Sequence, residues 1–424
     1  MNAYKARIVD DILKEKLSDK GAVLIEGPKW CGKTTTAEQV AGSVLYMANP
    51  KTKKQNLMLA DADPEILLQG DTPRLIDEWQ LAPKLWDSVR FEVDHRGAFG
   101  QFILTGSSVP AEMSEVSHSG TGRFSYLKMR PMSLLESGES NGRVSLKSLF
   151  SGSEDIYGQS TLTLEDVSFL VCRGGWPVAT YLSGKHALNQ AIDYYDSVVY
   201  SDVSRVDGTK RDPEKVKRVL RSLARNQGSL IGEETVIADI AANSDESVSR
   251  ATVRSYIDAL KKIFVVEDMT AWNPNLRSKT AIRSSDTRYF VDPSIAAAAL
   301  GFGPGDLIND LNTFGLMFET LAIRDLRIYS QALGGDVYHY RDKSGLECDA
   351  VIHLRNGHYG LVEIKLGGDN LVAEGCDSLL RLSRLIDTEK MNAPSFLMVL
   401  TAGGDIAYKN ADGIRIVPIG TLGV

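Results

Sequence analysis

The stretch Val23–Val40, "VLIEGPKWCGKTTTAEQV", decides how this 424-residue chain is read. An apolar run enters a tight segment with glycine at 27 and 32, meets Lys33 and Thr34, and leaves as a helix-forming sequence. Gly27-Pro28-Lys29-Trp30-Cys31-Gly32-Lys33-Thr34 fits the spacing G-x-x-x-x-G-K-[ST]. Glycines at those positions let successive backbone N–H groups curl around a phosphate, at the positive end of the following helix. Lys33 then reaches the β- and γ-phosphate oxygens, and the Thr34 hydroxyl ligates Mg2+. The expected cofactors are ATP and Mg2+, held by this loop together with Thr35. Trp30 and Cys31 read as packing residues within it.

A phosphate loop calls for a second strand ending in acids, and "RLIDEWQ" supplies one. Asp77 is expected to hold the Mg2+, directly or through water, while Glu78 orients and deprotonates the attacking water. A third strand, "FILTGSS", ends in hydroxyls, of which Thr105 or Ser107 can sense the γ-phosphate. In "GTGRFSYLKMRPMSLLE", Arg123 is the candidate arginine finger and Arg130 its competitor. Arg123 follows the third strand and is expected to act from a neighbouring subunit, which makes a homo-oligomer the expected state.

Composition bounds the alternatives. Hydrophobic residues at 43% and charged ones at 24% are ordinary for a globular protein. No apolar run approaches the roughly 20 residues that a membrane span needs. The beginning, "MNAYKARIVDDILKEKL", is charged and amphipathic and lacks the apolar centre of a signal peptide. Cys31, Cys172, Cys348 and Cys376 show no CxxC spacing, so neither a zinc site nor a disulfide framework is indicated. A cytoplasmic protein without membrane contact is expected. The net charge of −7 argues against a broad nucleic-acid-coating surface and leaves room for a local basic patch.

Along the chain the class is α/β. Strand-like runs "AVLIEG", "RLIDEW" and "QFILTGSS" alternate with helical patterns such as "LWDSVRFEVDHRG", the rhythm of a parallel sheet with crossover helices. The layout predicted is an ATPase unit over 1–140, a Ser/Gly-rich linker over 141–161, a helical lid over 162–230, a winged-helix segment over 231–300 and a further α/β unit over 301–424. In the fourth of these, Thr252, Val253, Tyr256, Ile257 and Leu260 give a helix its apolar face. A DNA reader would aim Ser249, Arg250 and Arg254 at a groove and Arg277, Lys279 and Arg283 of a wing at phosphates. Packing against the ATPase unit is the alternative, and Asp245, Glu246 and Asp258 dilute the positive charge.

The last unit carries a second constellation. Glu319 lies in the helix "GLMFETLAIRDL", and Asp349 ends "GLECD" at the start of an apolar strand. Glu363 and Lys365 share one face of the strand "LVEIKL". Carboxylates converging from a helix and two strands can hold Mg2+, and a lysine beside them can orient or activate water. Glu319, Asp349 and Glu363 are therefore the expected ligands and Lys365 the expected catalytic residue. Charges scattered over an inert surface are the alternative.

With these residues in hand, the chain resembles a prokaryotic family of AAA+-like ATPases whose C-terminal domain is of unknown function. The similarity covers nearly the whole chain, and its marks are "EGPKWCGKTTTA", "LIDEWQLAP", "FILTGSS", "GRFSYLKMRPMSLLE", "RGGWPVATY", "FVDPSIAAAAL" and "LECDAVI…LVEIK". The resemblance implies ATP binding in an AAA+-like P-loop domain, and the last segment looks like a PD-(D/E)XK nuclease domain. The expected function is an ATPase that couples hydrolysis to DNA engagement, with Mg2+-dependent nuclease activity as a further possibility. A nucleotide-gated scaffold that binds a protein partner through an inert nuclease fold is the rival.

Overall fold

The computed structural model describes residues 3–108, 120–153, 156–230, 232–242, 248–275 and 285–424. Its first layer is set by the alternation in β1 (Ala22–Glu26). Val23 and Ile25 pack with Val9, Leu13 and Leu17 of the helix Ile8–Asp19. Ala22 and Leu24 pack on the other face with Leu85, Trp86, Val89 and Val93 of the helix Leu85–Arg96. A strand covered on both faces must be apolar throughout, which is why "AVLI" is unbroken.

Four more strands join β1: β2 (Ser43–Tyr46), β3 (Arg74–Asp77), β4 (Phe102–Gly106) and β5 (Phe124–Lys128). The sheet order is β2-β3-β4-β1-β5 and every pairing is parallel. All carboxyl ends therefore lie along one edge, where open α/β sheets bind their ligands. The loop after β1, the acids after β3 and the hydroxyls of β4 meet there.

The stretch read as a linker over 141–161 is a correction. It forms β6 (Val144–Ser145), a short helix Leu146–Phe150 and β7 (Gly158–Gln159). Ser145 in this stretch and Ser140 just before it are tied to the far end of the chain. Ser140 Oγ donates to the carbonyl of Leu422 and Ser145 Oγ to that of Val424, each at 2.6 Å. A Ser/Gly-rich sequence reads as loop when its partners lie so far away in sequence.

The middle of the chain is helical, and a hairpin of β8 (Val266–Met269) and β9 (Thr287–Phe290) follows the helices Glu233–Ala242 and Arg250–Lys262. Arg277, Lys279, Arg283, Asp245 and Glu246 lie outside the described residues. The expected lid, winged-helix and last units share one continuous core, running from Leu134 through Val219, Leu260 and Phe318 to Leu422. At its centre Arg324, 1% exposed, pairs with Asp292 and Asp325 at 2.8 Å each. Asp292 also accepts from the backbone of Gly175 and Asp325 from that of Leu134. The "RGGWP" and "VDPS" motifs thus serve as structural joints.

The last unit places the long helix Leu311–Ala332 against β10 (Gly335–Arg341), β11 (Glu347–Leu354) and β12 (Tyr359–Lys365). These strands are antiparallel, and β13 (Phe396–Thr401) then runs parallel to β12 after the helix Asp369–Leu385. With β14 (Ile406–Lys409) and β15 (Arg415–Pro418) the seven-stranded order is β10-β11-β12-β13-β15-β14-β7. The last strand, β16 (Leu422–Gly423), pairs with β6.

Candidate functional site

Two glycines shape the loop after β1. A side chain on Gly27 would place its Cβ 2.0 Å from the carbonyl oxygen of Met129, and Gly32 has φ +101°, where only glycine is comfortable. Lys33, buried at the first position of the helix Lys33–Glu38, donates to the carbonyls of Gly27 at 2.8 Å and Pro28 at 2.7 Å. The ammonium thus already sits over the turn that would wrap a phosphate. Arg7 braces the same loop, donating to the carbonyls of Cys31 at 2.8 Å and Arg130 at 2.9 Å while pairing with Glu136 at 3.0 Å.

The two acids have different partners. Asp77 Oδ1 accepts from the hydroxyls of Thr34 at 2.6 Å and Thr105 at 2.7 Å. Thr34 and Asp77 thus present adjacent oxygens of the kind Mg2+ prefers. Glu78 stands in the left-handed region at φ +58°, held by Gln80 Nε2 and by Ser107 Oγ at 3.3 Å. Burial, and then the charge of Asp77, raise the Glu78 pKa above the usual carboxylate value, against the pull of Lys33 and Lys29. A carboxylate so placed is a stronger base than one in water.

Arg123 is not brought to this edge. It precedes β5 and pairs with Asp94 at 2.7 Å. β5 runs level with β1, so the strand's five residues separate Arg123 from the loop, roughly 16 Å at about 3.3 Å per residue. Arg130 follows β5 and turns toward Glu267 at 3.0 Å. Sequence reasoning missed Arg7 and Gln80. The second sits within "RLIDEWQ" and was open to notice; the first acts on groups far along the chain and left no local signal.

In the last unit, Lys365 Nζ lies 2.7 Å from Glu363 and 3.3 Å from Asp349, and Asp349 also accepts from the backbone N–H of Ile364 at 2.7 Å. Glu319 accepts a 2.6 Å hydrogen bond from Tyr289 of β9. Burial and the Asp349 charge push both Glu319 and Glu363 up to about 8. Burial opposes the Lys365 charge, but the two carboxylates outweigh it and hold the ammonium above its ordinary pKa. The four residues are therefore neighbours that feel one another's charge.

As the side chains stand, they are not gathered into a three-carboxylate ligand set. Among the described residues no three His, Cys, Asp or Glu side chains converge closely enough to hold an ion. The reason is local: Lys365 compensates two of the acids and Tyr289 holds the third. One feature nevertheless suits a cation: Glu363 Oε1 is buried without a hydrogen-bond partner. In the middle segment, Arg250 and Arg254 both pair with Glu233, at 2.6 and 2.7 Å, and Ser249 caps its helix by accepting from Thr252.

Comparison with known proteins divides the chain in three. Residues 19–137 match the AAA domain family, 164–306 a domain of unknown function (DUF8612) and 314–422 another domain of unknown function (DUF4143). Uncharacterized proteins of Mycobacterium bovis and Mycobacterium tuberculosis are each 24% identical over 358 residues, covering 83% of this chain and 72% of each relative. A Walker-type ATPase of Pyrococcus abyssi aligns with 68% of this chain and 94% of its own at 11% identity and a TM-score of 0.41. The Aeropyrum pernix ORC1 protein in complex with DNA aligns with 70% and 93% at 12% identity and a TM-score of 0.27. No helix among the described residues is long and apolar enough to cross a membrane. Residues 19–137 are thus similar to AAA domains and, with the parallel sheet and its loop, form an AAA-type, P-loop ATPase-like unit.

Proposed function

We propose that the chain binds ATP with Mg2+ at the loop Gly27–Thr34 and hydrolyses it. The observation that carries this reading is the double hydroxyl clasp on Asp77, from Thr34 at 2.6 Å and Thr105 at 2.7 Å, beside the buried Lys33. Thr34 and Asp77 would hold the Mg2+, whose positive charge would offset the charge of the phosphates. Lys33 exchanges the Gly27 and Pro28 carbonyls for phosphate oxygens. Glu78 takes the proton of the attacking water, while Gln80 and Ser107 keep its carboxylate oriented. Arg123 can contribute only from a second subunit, so its role extends the proposal to a homo-oligomer, tested by mixing Lys33→Ala and Arg123→Ala chains for recovered turnover. ATPase assays of the wild type, Lys33→Ala and Glu78→Gln test the core of the reading.

A second reading concerns the last unit, and the unpartnered Glu363 Oε1 favours it. We propose that this site cuts DNA: Asp349 and Glu363 would hold Mg2+, which would offset the phosphate charge, and Lys365 would orient or activate the attacking water. Plasmid nicking in Mg2+ or Mn2+, lost in Asp349→Asn while ATP turnover persists, is the expected result. No nicking and no DNA-stimulated turnover would favour the nucleotide-gated scaffold.

A further inference from the structure

Three neighbouring residues of the phosphate loop meet one segment of the middle unit. Lys29 Nζ lies 2.6 Å from Asp202 Oδ1, with the lysine side chain 42% exposed and the aspartate 9%. The Trp30 ring, on a left-handed residue at φ +63°, lies 6.1 Å from that of Tyr194, which stacks on Trp176 at 4.1 Å. Gly32 is the third, since a Cβ built there would lie 3.5 Å from Pro177. A non-glycine residue in the left-handed region is an uncommon, costly conformation, and such residues gather at functional sites.

Asp202 closes a π-helical turn, Val198–Asp202, that continues the helix Gly184–Ser197. Single π turns inside helices are rare and recur at functional sites. Here the turn carries an anchored carboxylate to a loop whose other features suit an anion. Lys29 is the cation that offsets it, and a nucleotide phosphate on the loop would draw on the same ammonium.

We infer that Asp202 is a residue of the nucleotide site supplied by the middle unit, holding Lys29 until phosphate takes it. This rests on the reading of the loop as an ATP site. The free energies are linked: what the nucleotide gains by drawing Lys29 away, the contact between loop and middle unit loses. ATP binding therefore loosens the Lys29–Asp202 tie, and the tie lowers ATP affinity.

The test is calorimetric titration of MgATP into the full chain as wild type, Asp202→Asn, Lys29→Met and the double variant. Asp202→Asn is expected to bind about three- to fivefold more tightly, the scale of a partly exposed ion pair. In the Lys29→Met background the same change is expected to give no gain. Asp202→Glu, which keeps the charge, is expected to bind like the wild type, and Asp202→Ser replaces Asp202→Asn as the neutral variant if the latter melts early. Equal or weaker binding by Asp202→Asn, or a gain that survives Lys29→Met, overturns the exchange. A wild type that binds no ATP overturns the ATP reading along with it.

Discussion

The Tyr289 hydroxyl donates a 2.6 Å hydrogen bond to Oε1 of Glu319, tying the hairpin strand β9 to the long helix of the last unit. The tie makes the middle segment a wall of the C-terminal carboxylate cluster. If Glu319 serves as a metal ligand, the cation would have to compete with that hydroxyl. Tyr289→Phe is therefore expected to bind Mn2+ about tenfold more tightly than the wild type, the order of one hydrogen bond to a charged group, and Asp349→Asn to bind none. Calorimetry with Mn2+ on the full chain without nucleotide reads both. Unchanged affinity in Tyr289→Phe would mean that the hydroxyl and the ion do not compete.

Glu267, 7% exposed, binds Lys128 at 3.1 Å, Arg130 at 3.0 Å and Arg327 at 2.8 Å, clamping the ATPase-like unit to the long helix. Burial raises its pKa, but Arg130, Lys128 and Arg327 overcome that and hold the carboxyl well below its usual range. Glu267→Gln leaves buried cations uncompensated and is expected to cost about 3 kcal/mol at pH 7. A depressed carboxylate contributes stability that is present above its unfolded pKa and lost as pH falls toward the folded one. The gap between wild type and Glu267→Gln in urea unfolding should therefore shrink below about pH 4.5. A gap that is constant from pH 7 to pH 3 would exclude the ion cluster as its source.

Glu78→Gln is expected to keep ATP affinity while turnover falls by about 10²-fold or more, as for a lost general base. Because burial and Asp77 raise the Glu78 pKa, the acid limb of kcat/KM should lie above the ordinary glutamate value and vanish in the variant. An acid limb that persists in Glu78→Gln would assign it to another group.

The ATPase-like edge was legible because its chemistry is local: the loop is eight consecutive residues, and Asp77, Glu78, Thr105 and Ser107 each end a short apolar strand. In the last unit, strand alternation alone puts Glu363 and Lys365 on one face, and they are indeed neighbours. What the sequence hid are pairings across the chain. Ser140 bonds Leu422, so a serine-rich stretch that looks like linker is part of the C-terminal layer. Arg250 and Arg254 look unpartnered in the sequence, but both share the Glu233 carboxylate on the neighbouring helix. Arg123 sits near the right strand but at its amino end, and direction along a strand is invisible without the sheet order.

ATP binding to the phosphate loop is tested most directly by calorimetric titration of MgATP into the wild-type chain and into Lys33→Ala, each shown by its melting curve to be folded. Lys33 Nζ is the buried cation over the turn, 2.8 Å from the Gly27 carbonyl, and charge-assisted bonds to phosphate are the strong ones. The wild type is expected to bind and Lys33→Ala to lose about tenfold or more in affinity, on the order of one charge-assisted hydrogen bond. Equal affinity in the two, or no binding by a folded wild type, would contradict the assignment of this loop to ATP.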